Sequence, residues 1–456
     1  MVSEFIKNKH LANRAGFGIS LEQISAFERL STAEVWQTYT RTRDFEQIRF
    51  NDTDTDADYV TLSKLNAGAK KQIQQRNRQQ NIEINLNFLT AMVHSEDQLR
   101  EKMAFFWHGH FASRVVNSTF SAHILNEIRK NALGNFRDLL FAVSKAPAML
   151  SFLNNQQNKK GHPNENFARE VMELFTMGRG HYTEADVREA ARAFTGWSYD
   201  RDARFMERKK FHDPGMKTFL GKTGNFDGND ILDIILEQPA TARFITAKLY
   251  RFLVNEQVDN ELVNRLSKQF YDSGYDIKKL LDHIFTASWF YEPKNIGSKI
   301  KSPVELIVGI MRMLPMKIEN PEHLIVYQKL LGQLLLYPPN VAGWPSGKAW
   351  IDSSTLLLRM QIPQIWSGLR PLDRSPQQDD DLDMGLKQKR KLKGFKNPNM
   401  SIAWPEVEAA FAGKEPIQLL LQKEPSFKQH ILEKYAAGDI RMSIIETMSM
   451  PEYQLC

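Results

Sequence analysis

Two histidines lie two residues apart within the aromatic run FFWHGHF at residues 105–111. Neutral imidazole nitrogens are common ligands of Zn, Mn and Fe, so we expect His108 and His110 to be metal ligands. Two residues correspond to about 200° around a regular helix, so both rings could face one ion only in an extended segment or at a helix end. The alternative is one buried histidine bonded to a backbone carbonyl and a second histidine at the surface.

Acidic side chains recur along NENFAREVMELFTMG, whose apolar periodicity predicts a helix. Glu165, Arg169 and Glu173 are four residues apart, which places them on one face as a ladder of opposite charges. Glu170 is three residues from Glu173, close enough for the two carboxylates to share a cation or a proton, and we predict both as metal ligands. Arg169 is a candidate for binding substrate and Glu165 a candidate proton carrier. The alternative is a salt-bridged surface stripe.

The segment FHDPGMK at residues 211–217 contains glycine and proline, which predicts irregular backbone of the kind that often carries functional groups. His212 is a further candidate metal ligand, Asp213 a second candidate proton carrier, and Lys217 a candidate for binding substrate. The alternative is a plain turn with His212 in solvent. The single cysteine, Cys456, excludes a thiolate cluster, so mixed nitrogen and oxygen ligands would suit Zn, Mn or Fe.

Three further residues are candidates for binding substrate, namely Arg14, Trp197 and Trp344. The guanidinium of Arg14 has the planar donors that bind a carboxylate or a phosphate, although an internal ion pair is the commoner use. The glycines in NVAGWPSG predict a tight loop around Trp344 that packs over a flat surface. That surface is either the core of the domain or the wall of a ligand pocket.

The elements that must position these residues are helices. Apolar residues recur at helical spacing through most of the chain, alternating strand patterns are scarce, and residues 205–220 are the best candidate for a short β-hairpin. We predict a mainly α protein with one large multi-helix domain at 1–370, a charged linker at 371–400 and a small helical segment at 401–456. Hydrophobic residues make up 42% and charged residues 25% of the chain, which is typical of globular proteins and not of disordered ones.

Charge and apolar patterning argue against two classes of partner. The net charge is +6 over 456 residues, a mild excess that makes nucleic acid an unlikely partner. No run approaches the roughly eighteen apolar residues of a membrane helix, so we expect no membrane association. The first residues lack the apolar stretch of a secretory signal, so the sequence predicts a cytoplasmic protein and leaves export open.

Five separated strings are not explained by helical packing alone: HLANRAGFG, EKMAFFWHGHFAS, NENFAREVMELFTMGRGHYTEADVREAARAFTGW, FHDPGMKTFLGKTGNFDGNDILDIILEQPATARFITAKLYRFLV and PPNVAGWPSGKAWIDSSTLLLRM. In this order they resemble the domain of unknown function 1800 family, over about residues 5–370. The resemblance implies a mostly helical bacterial protein with no established activity. Genes of that family often neighbour a gene for a domain of unknown function 1501 family protein, which implies such a protein as a partner.

Two functions remain open at this point. The first is a metal-dependent enzyme, hydrolytic or redox, that uses the nitrogen and oxygen ligands named above. The second is a non-catalytic binding or assembly partner of a domain of unknown function 1501 family protein, in which the polar cluster is purely structural. The first function requires the histidines of FFWHGHF to lie within metal-sharing distance of Glu170 and Glu173.

Overall fold

The computed structural model describes residues 2–41, 43–50, 66–200, 202–372, 400–425 and 439–456. Helices dominate these ranges, which confirms the prediction of a mainly α protein. The α-helices of the first half are α1 Glu4–Ala15, α2 Ile24–Phe27, α3 Thr32–Thr40, α4 Ala67–His94, α5 Gln98–His110, α6 Ser118–Asn131, α7 Phe136–Lys145, α8 Pro147–Phe152, α9 Asn166–Glu170 and α10 Glu184–Ala193. Those of the second half are α11 Gly228–Leu236, α12 Pro239–Leu253, α13 Asn260–Asp272, α14 Ile277–Phe285, α15 Pro303–Met313, α16 His323–Leu330, α17 Ser353–Trp366, α18 Trp404–Phe411, α19 Pro416–Leu420 and α20 Ile440–Met448.

Several helices have an N-terminal cap, in which a side chain accepts hydrogen bonds from the backbone N–H groups of the first turn. The Thr183 hydroxyl accepts from the N–H of Asp186 at the start of α10, and the Asp186 carboxylate accepts from the N–H of Thr183 at 2.8 Å. Asp227 caps α11 in the same reciprocal way. Each cap stabilises a helix by about 1 kcal/mol, so these boundaries follow from local sequence.

The strands form three short antiparallel pairs within the described residues: β1 Trp197–Tyr199 with β2 Phe205–Glu207, β3 Lys217–Phe219 with β4 Lys222–Gly224, and β5 Met316–Ile318 with β6 Met400–Ile402. The hairpin predicted within 205–220 is wrong in its pairing, because β2 pairs back to β1 and β3 pairs forward to β4. The tight turn lies later, at Leu220 and Gly221. Both residues have positive φ, +48° and +79°, as a two-residue hairpin loop requires.

One hydrophobic core extends through the described residues and includes the C-terminal segment. Val407 of α18 and Ile444 of α20 are fully buried in the same cluster as Leu11 of α1. The strand pair β5–β6 and the Lys9 ammonium, which donates to the carbonyl of Leu421 at 2.6 Å, also join the segment to the rest of the chain. The division into a domain and a smaller segment stays a prediction, and most of the charged linker, 373–399, lies outside the described residues.

None of the helices in the described ranges combines the length and the apolar character that crossing a bilayer requires.

Candidate functional site

The acidic segment is not one regular helix, since α9 continues directly into a π-helix at Val171–Thr176. The N–H of Met177 donates to the carbonyl of Met172, five residues back, at 2.9 Å. The wider turn changes which side chains share a face, and π-turns are frequent at functional sites.

The ladder of charges predicted along this segment forms in part. Arg169 donates to the Glu165 carboxylate at 3.2 Å and to both oxygens of Glu184, on α10, at 2.8 Å. Glu173 instead pairs with Arg179, with Nε and Oε1 2.5 Å apart. The prediction is confirmed for Glu165 with Arg169 and wrong for Arg169 with Glu173, because the π-helix rotates Glu173 away from that face.

Glu170 differs from its charged neighbours. Its carboxylate is half-buried, and it forms no hydrogen bond or ion pair with any residue in the described part of the chain. Burial, followed by the nearby carboxylate of Glu173, raises the pKa of Glu170, while Arg169 and Arg179 oppose that rise. The result is a carboxylate whose charge is incompletely balanced inside the chain.

His110, the last residue of α5, is buried with both ring nitrogens engaged. Its Nε2 lies 3.0 Å from the carbonyl oxygen of Phe175 and therefore carries the proton that it donates. Its Nδ1 then accepts from the Lys248 ammonium at 3.2 Å. Burial and that ammonium hold the pKa of His110 well below its usual range, so the ring is neutral. Neither nitrogen has a free lone pair for a metal ion in this arrangement.

His108 has other partners. Its Nε2 accepts from the N–H of Leu336 at 3.1 Å, and its ring centroid lies 5.4 Å from that of Trp344. Burial lowers the pKa of His108 to about 4. The two imidazoles of FFWHGHF therefore have separate surroundings, as the rotation between them on a regular helix requires.

The loop around Trp344 packs over the end of α5. Gly343 has φ +85°, and a Cβ placed on it would lie 2.3 Å from the carbonyl oxygen of Gly109. Only glycine permits this approach, which brings Trp344 against His108. The tight loop is confirmed, and the surface beneath it belongs to the chain itself. A role of Trp344 in binding substrate stays a prediction.

The segment 211–217 folds around Arg192, near the end of α10. Arg192 Nε donates to the Asp213 carboxylate at 2.9 Å, and this bond lowers the pKa of Asp213. Lys217 Nζ donates to the carbonyl of Asp213 at 2.7 Å. His212 is half-buried rather than solvated, with Nδ1 3.0 Å from the carbonyl of Thr195. Asp213 and Lys217 therefore meet beside Arg192, whereas His212 contacts the carbonyl of Thr195.

Two residues predicted to bind substrate are enclosed in the interior. Trp197 is 1% exposed and packs edge-on against Phe194, with ring centroids 5.0 Å apart. Arg14 is also 1% exposed, and its Nη2 donates to the carbonyls of Asn295 and Cys456 at 3.1 and 2.7 Å. Both side chains bind other parts of the chain, and their role toward a substrate stays a prediction.

The predicted metal ligands do not come together as one cluster. In the part of the chain that the structure describes, no group of three or more His, Cys, Asp or Glu side chains is arranged to hold a metal ion. FFWHGHF does meet the acidic segment, but through the carbonyl of Phe175 rather than through a carboxylate. The side chains predicted as metal ligands therefore lie in separate environments. They are His108, His110, Glu170, Glu173 and His212.

Sequence reasoning missed Lys248, which lies half-buried on α12. Its Nζ donates to the carbonyl of Leu174 at 3.1 Å as well as to His110. Burial, followed by the charge of Arg251, lowers the pKa of Lys248 to about 8. The available signal was its spacing, since Lys248 follows Ile245 by three residues and so borders the buried stripe of its helix.

The fold and this arrangement define a mainly α-helical protein in which a partly exposed face of ion pairs lies beside a buried histidine–lysine contact. The chain belongs to the family described as "Protein of unknown function (DUF1800)", whose model matches residues 10–454. The match runs through the C-terminal segment, well beyond the five strings that carry the resemblance in the sequence. No curated protein and no solved structure matches the chain.

Proposed function

We propose that this chain is a non-catalytic binding protein whose acidic face docks a basic group of a partner protein. The acidic face is the partly exposed surface of α9, the π-helix and the start of α10, formed by Glu165, Arg169, Glu170, Glu173 and Glu184. The observation that carries the proposal is the half-buried Glu170 carboxylate, which has no bonding partner among the described residues.

A cation that approaches from outside the chain would stabilise the charged form of a carboxylate in this position. Removing a charged group from water is unfavourable unless the charge is paired, and the raised pKa of Glu170 reflects that cost. Glu165 and Glu173 already have arginine partners, so Glu170 is the member of the face left to be matched. Complementary charges of this kind set the orientation of a partner and speed its association.

The partner that the family resemblance implies is a domain of unknown function 1501 family protein. The test is co-expression of the two proteins, followed by calorimetric titration of the purified components. We expect a stoichiometric complex, and we expect Glu170→Gln to weaken it at least about tenfold, because the substitution removes the unmatched charge. The matched control is Glu261→Gln, which removes an exposed carboxylate from α13 and should leave the affinity unchanged. A complex that Glu170→Gln leaves intact contradicts the proposed face.

A metal-dependent enzyme is the second candidate, and one observation favours it. The Glu170 and Glu173 carboxylates are close enough for Glu173 to raise the pKa of Glu170, as expected of two acids that can share a cation. Zn, Mn or Fe bound there would supply hydrolytic or redox chemistry, with Glu165 or Asp213 as the proton carrier. Elemental analysis separates the candidates, because stoichiometric metal that is lost in the folded double variant Glu170→Ala, Glu173→Ala supports the enzyme. Wild-type protein free of metal supports the binding protein.

A further inference from the structure

Within the ranges that the structure describes, the Lys248 ammonium has no acidic partner. Its two acceptors are neutral, namely the carbonyl of Leu174 in the π-helix and Nδ1 of His110 in α5. The Phe244 ring lies 4.7 Å from Nζ, and the charged group that acts on it, Arg251, is also a cation. Among the described residues, no carboxylate bonds to Lys248.

Burial and the charge of Arg251 favour the neutral amine over the ammonium, whereas the face of the Phe244 ring attracts the ammonium. A lysine loses its proton more easily when it is removed from water and when a second cation lies nearby, and the neutral amine is the nucleophilic form. His110 and Leu174 fix the direction of Nζ without adding negative charge to it. An exposed lysine such as Lys268, which pairs with Asp272, has the opposite surroundings.

We propose that Lys248 is a nucleophilic lysine that forms an imine with a small apolar aldehyde or ketone. The amine nitrogen attacks the carbonyl carbon, and the carbon–oxygen bond then breaks. The oxygen leaves as water and carries away both hydrogens of the neutral amine. His110 is a positioning residue, since its Nδ1 accepts an N–H of Lys248. The Phe244 ring beside Nζ, and the Phe106 ring stacked on His110, favour an apolar carbonyl compound over a charged one.

The test is reductive labelling of the folded full-length protein with propanal and sodium cyanoborohydride at pH 7.5, with each lysine followed by peptide mass spectrometry. We expect Lys248 to be alkylated at least about tenfold faster than Lys268, because a larger fraction of its amine is neutral at this pH. Equal or slower labelling of Lys248 overturns the proposal, whether the cause is an ordinary ammonium or a closed path to it.

A second variant tests whether the charge of Arg251 makes Lys248 more reactive. Arg251 is exposed, so Arg251→Gln should leave the fold intact while removing the cation beside Lys248. We expect labelling of Lys248 to slow severalfold at pH 7.5 and its pH profile to move upward, with Lys268 unchanged. An unchanged profile would mean that Arg251 does not activate Lys248, and it contradicts the proposal. The affinity for the partner protein should not change, so this test is independent of the acidic face.

Discussion

Helix α5 and the acidic face both carry acidic and basic side chains, but these are buried on α5 and partly exposed on the acidic face. On α5, Glu101 is 1% exposed and receives both Nε and Nη2 of Arg129, at 2.9 and 2.6 Å. The next residue, Lys102, is buried against Glu305. On the acidic face, by contrast, the side chains of Glu165 and Arg169 are 39% and 33% exposed.

The difference follows from the cost of desolvation. A buried charge must be matched within the chain, because an unmatched one would destabilise the fold by several kcal/mol. A charge that keeps part of its water need not be matched, so an incompletely paired group such as Glu170 can persist at the surface. Buried ion pairs therefore report on how the chain folds, whereas partly exposed unpaired charges are the place to look for an external partner.

The largest expected effect is the loss of a buried pair. Arg129→Met leaves the Glu101 carboxylate buried without its arginine, and we expect the free energy of unfolding to fall by about 3–5 kcal/mol. Urea denaturation measures the change. Arg137→Met is the control, because its pair with Asp233 is about half exposed on both sides and should contribute less than about 1 kcal/mol. Equal losses in the two variants would show that the buried pair and the exposed pair stabilise the fold equally.

Acidification should act on α5 more strongly than on the acidic face. The pKa of His108 is about 4 in the folded chain and about 6.5 in the unfolded one, so below pH 6.5 the unfolded state binds a proton that the folded state does not. We expect the free energy of unfolding to fall by about 2 kcal/mol from this residue between pH 7 and 5. The lowered pKa of His110 also reduces the free energy of unfolding on acidification, whereas the raised pKa of Glu170 increases it.

Urea denaturation at the two pH values tests this expectation, with His108→Gln as the comparison. Glutamine keeps an acceptor for the N–H of Leu336 but does not titrate, so the pH dependence should become smaller. An unchanged pH dependence in His108→Gln would mean that His108 is not the neutral, buried group described above.

A smaller effect is expected where the Trp344 loop meets α5. Gly343→Ala introduces a Cβ that collides with the carbonyl of Gly109, so the loop must move away from His108. Gly413→Ala is a matched control, since Gly413 also has positive φ, +70°, but has no atom within 4 Å of the added Cβ. We expect Gly343→Ala to cost about 1–3 kcal/mol more than the control in thermal unfolding. Equal losses of stability in the two variants would show that the loop can move away from Gly109 without destabilising the fold.

The smallest effect is expected on the acidic face. Arg169→Met removes the bonds to Glu165 and Glu184, both of which remain partly in water, and should change the free energy of unfolding by less than about 1 kcal/mol. The same variant should alter binding of the partner protein in calorimetric titration. A stability loss above about 2 kcal/mol would place this face among the structural ion pairs, with those of α5.

Local features of the fold could be predicted from the sequence because their causes are local. The capping box at Thr183 and the break between α11 and α12 at Pro239 depend on residues a few positions apart. The π-helix could not be predicted from a 3.6-residue period, and it altered which carboxylates share a face. The contact of Lys248 with His110 joins positions 138 residues apart, so no spacing in the sequence could reveal it.

The two segments predicted to meet are in contact, but not through the side chains predicted to connect them, and their role as a functional site stays a prediction. FFWHGHF and the acidic segment do lie against each other, yet the contact uses a carbonyl and a lysine instead of carboxylates. Residue types show which side chains can bind a metal ion, but only tertiary packing decides whether their lone pairs are already used. His110 illustrates this, since both of its nitrogens are bonded within the protein.

The ammonium of Lys9 binds a carbonyl 412 residues further along the chain. During translation, α1 therefore emerges from the ribosome long before the carbonyl of Leu421, to which Lys9 donates, has been synthesised. Until then the surface of α1 that the last helices cover is open to water and to other nascent chains, which is the condition under which large proteins aggregate or recruit chaperones. The fold can close around α1 only after the chain has been synthesised as far as Leu421.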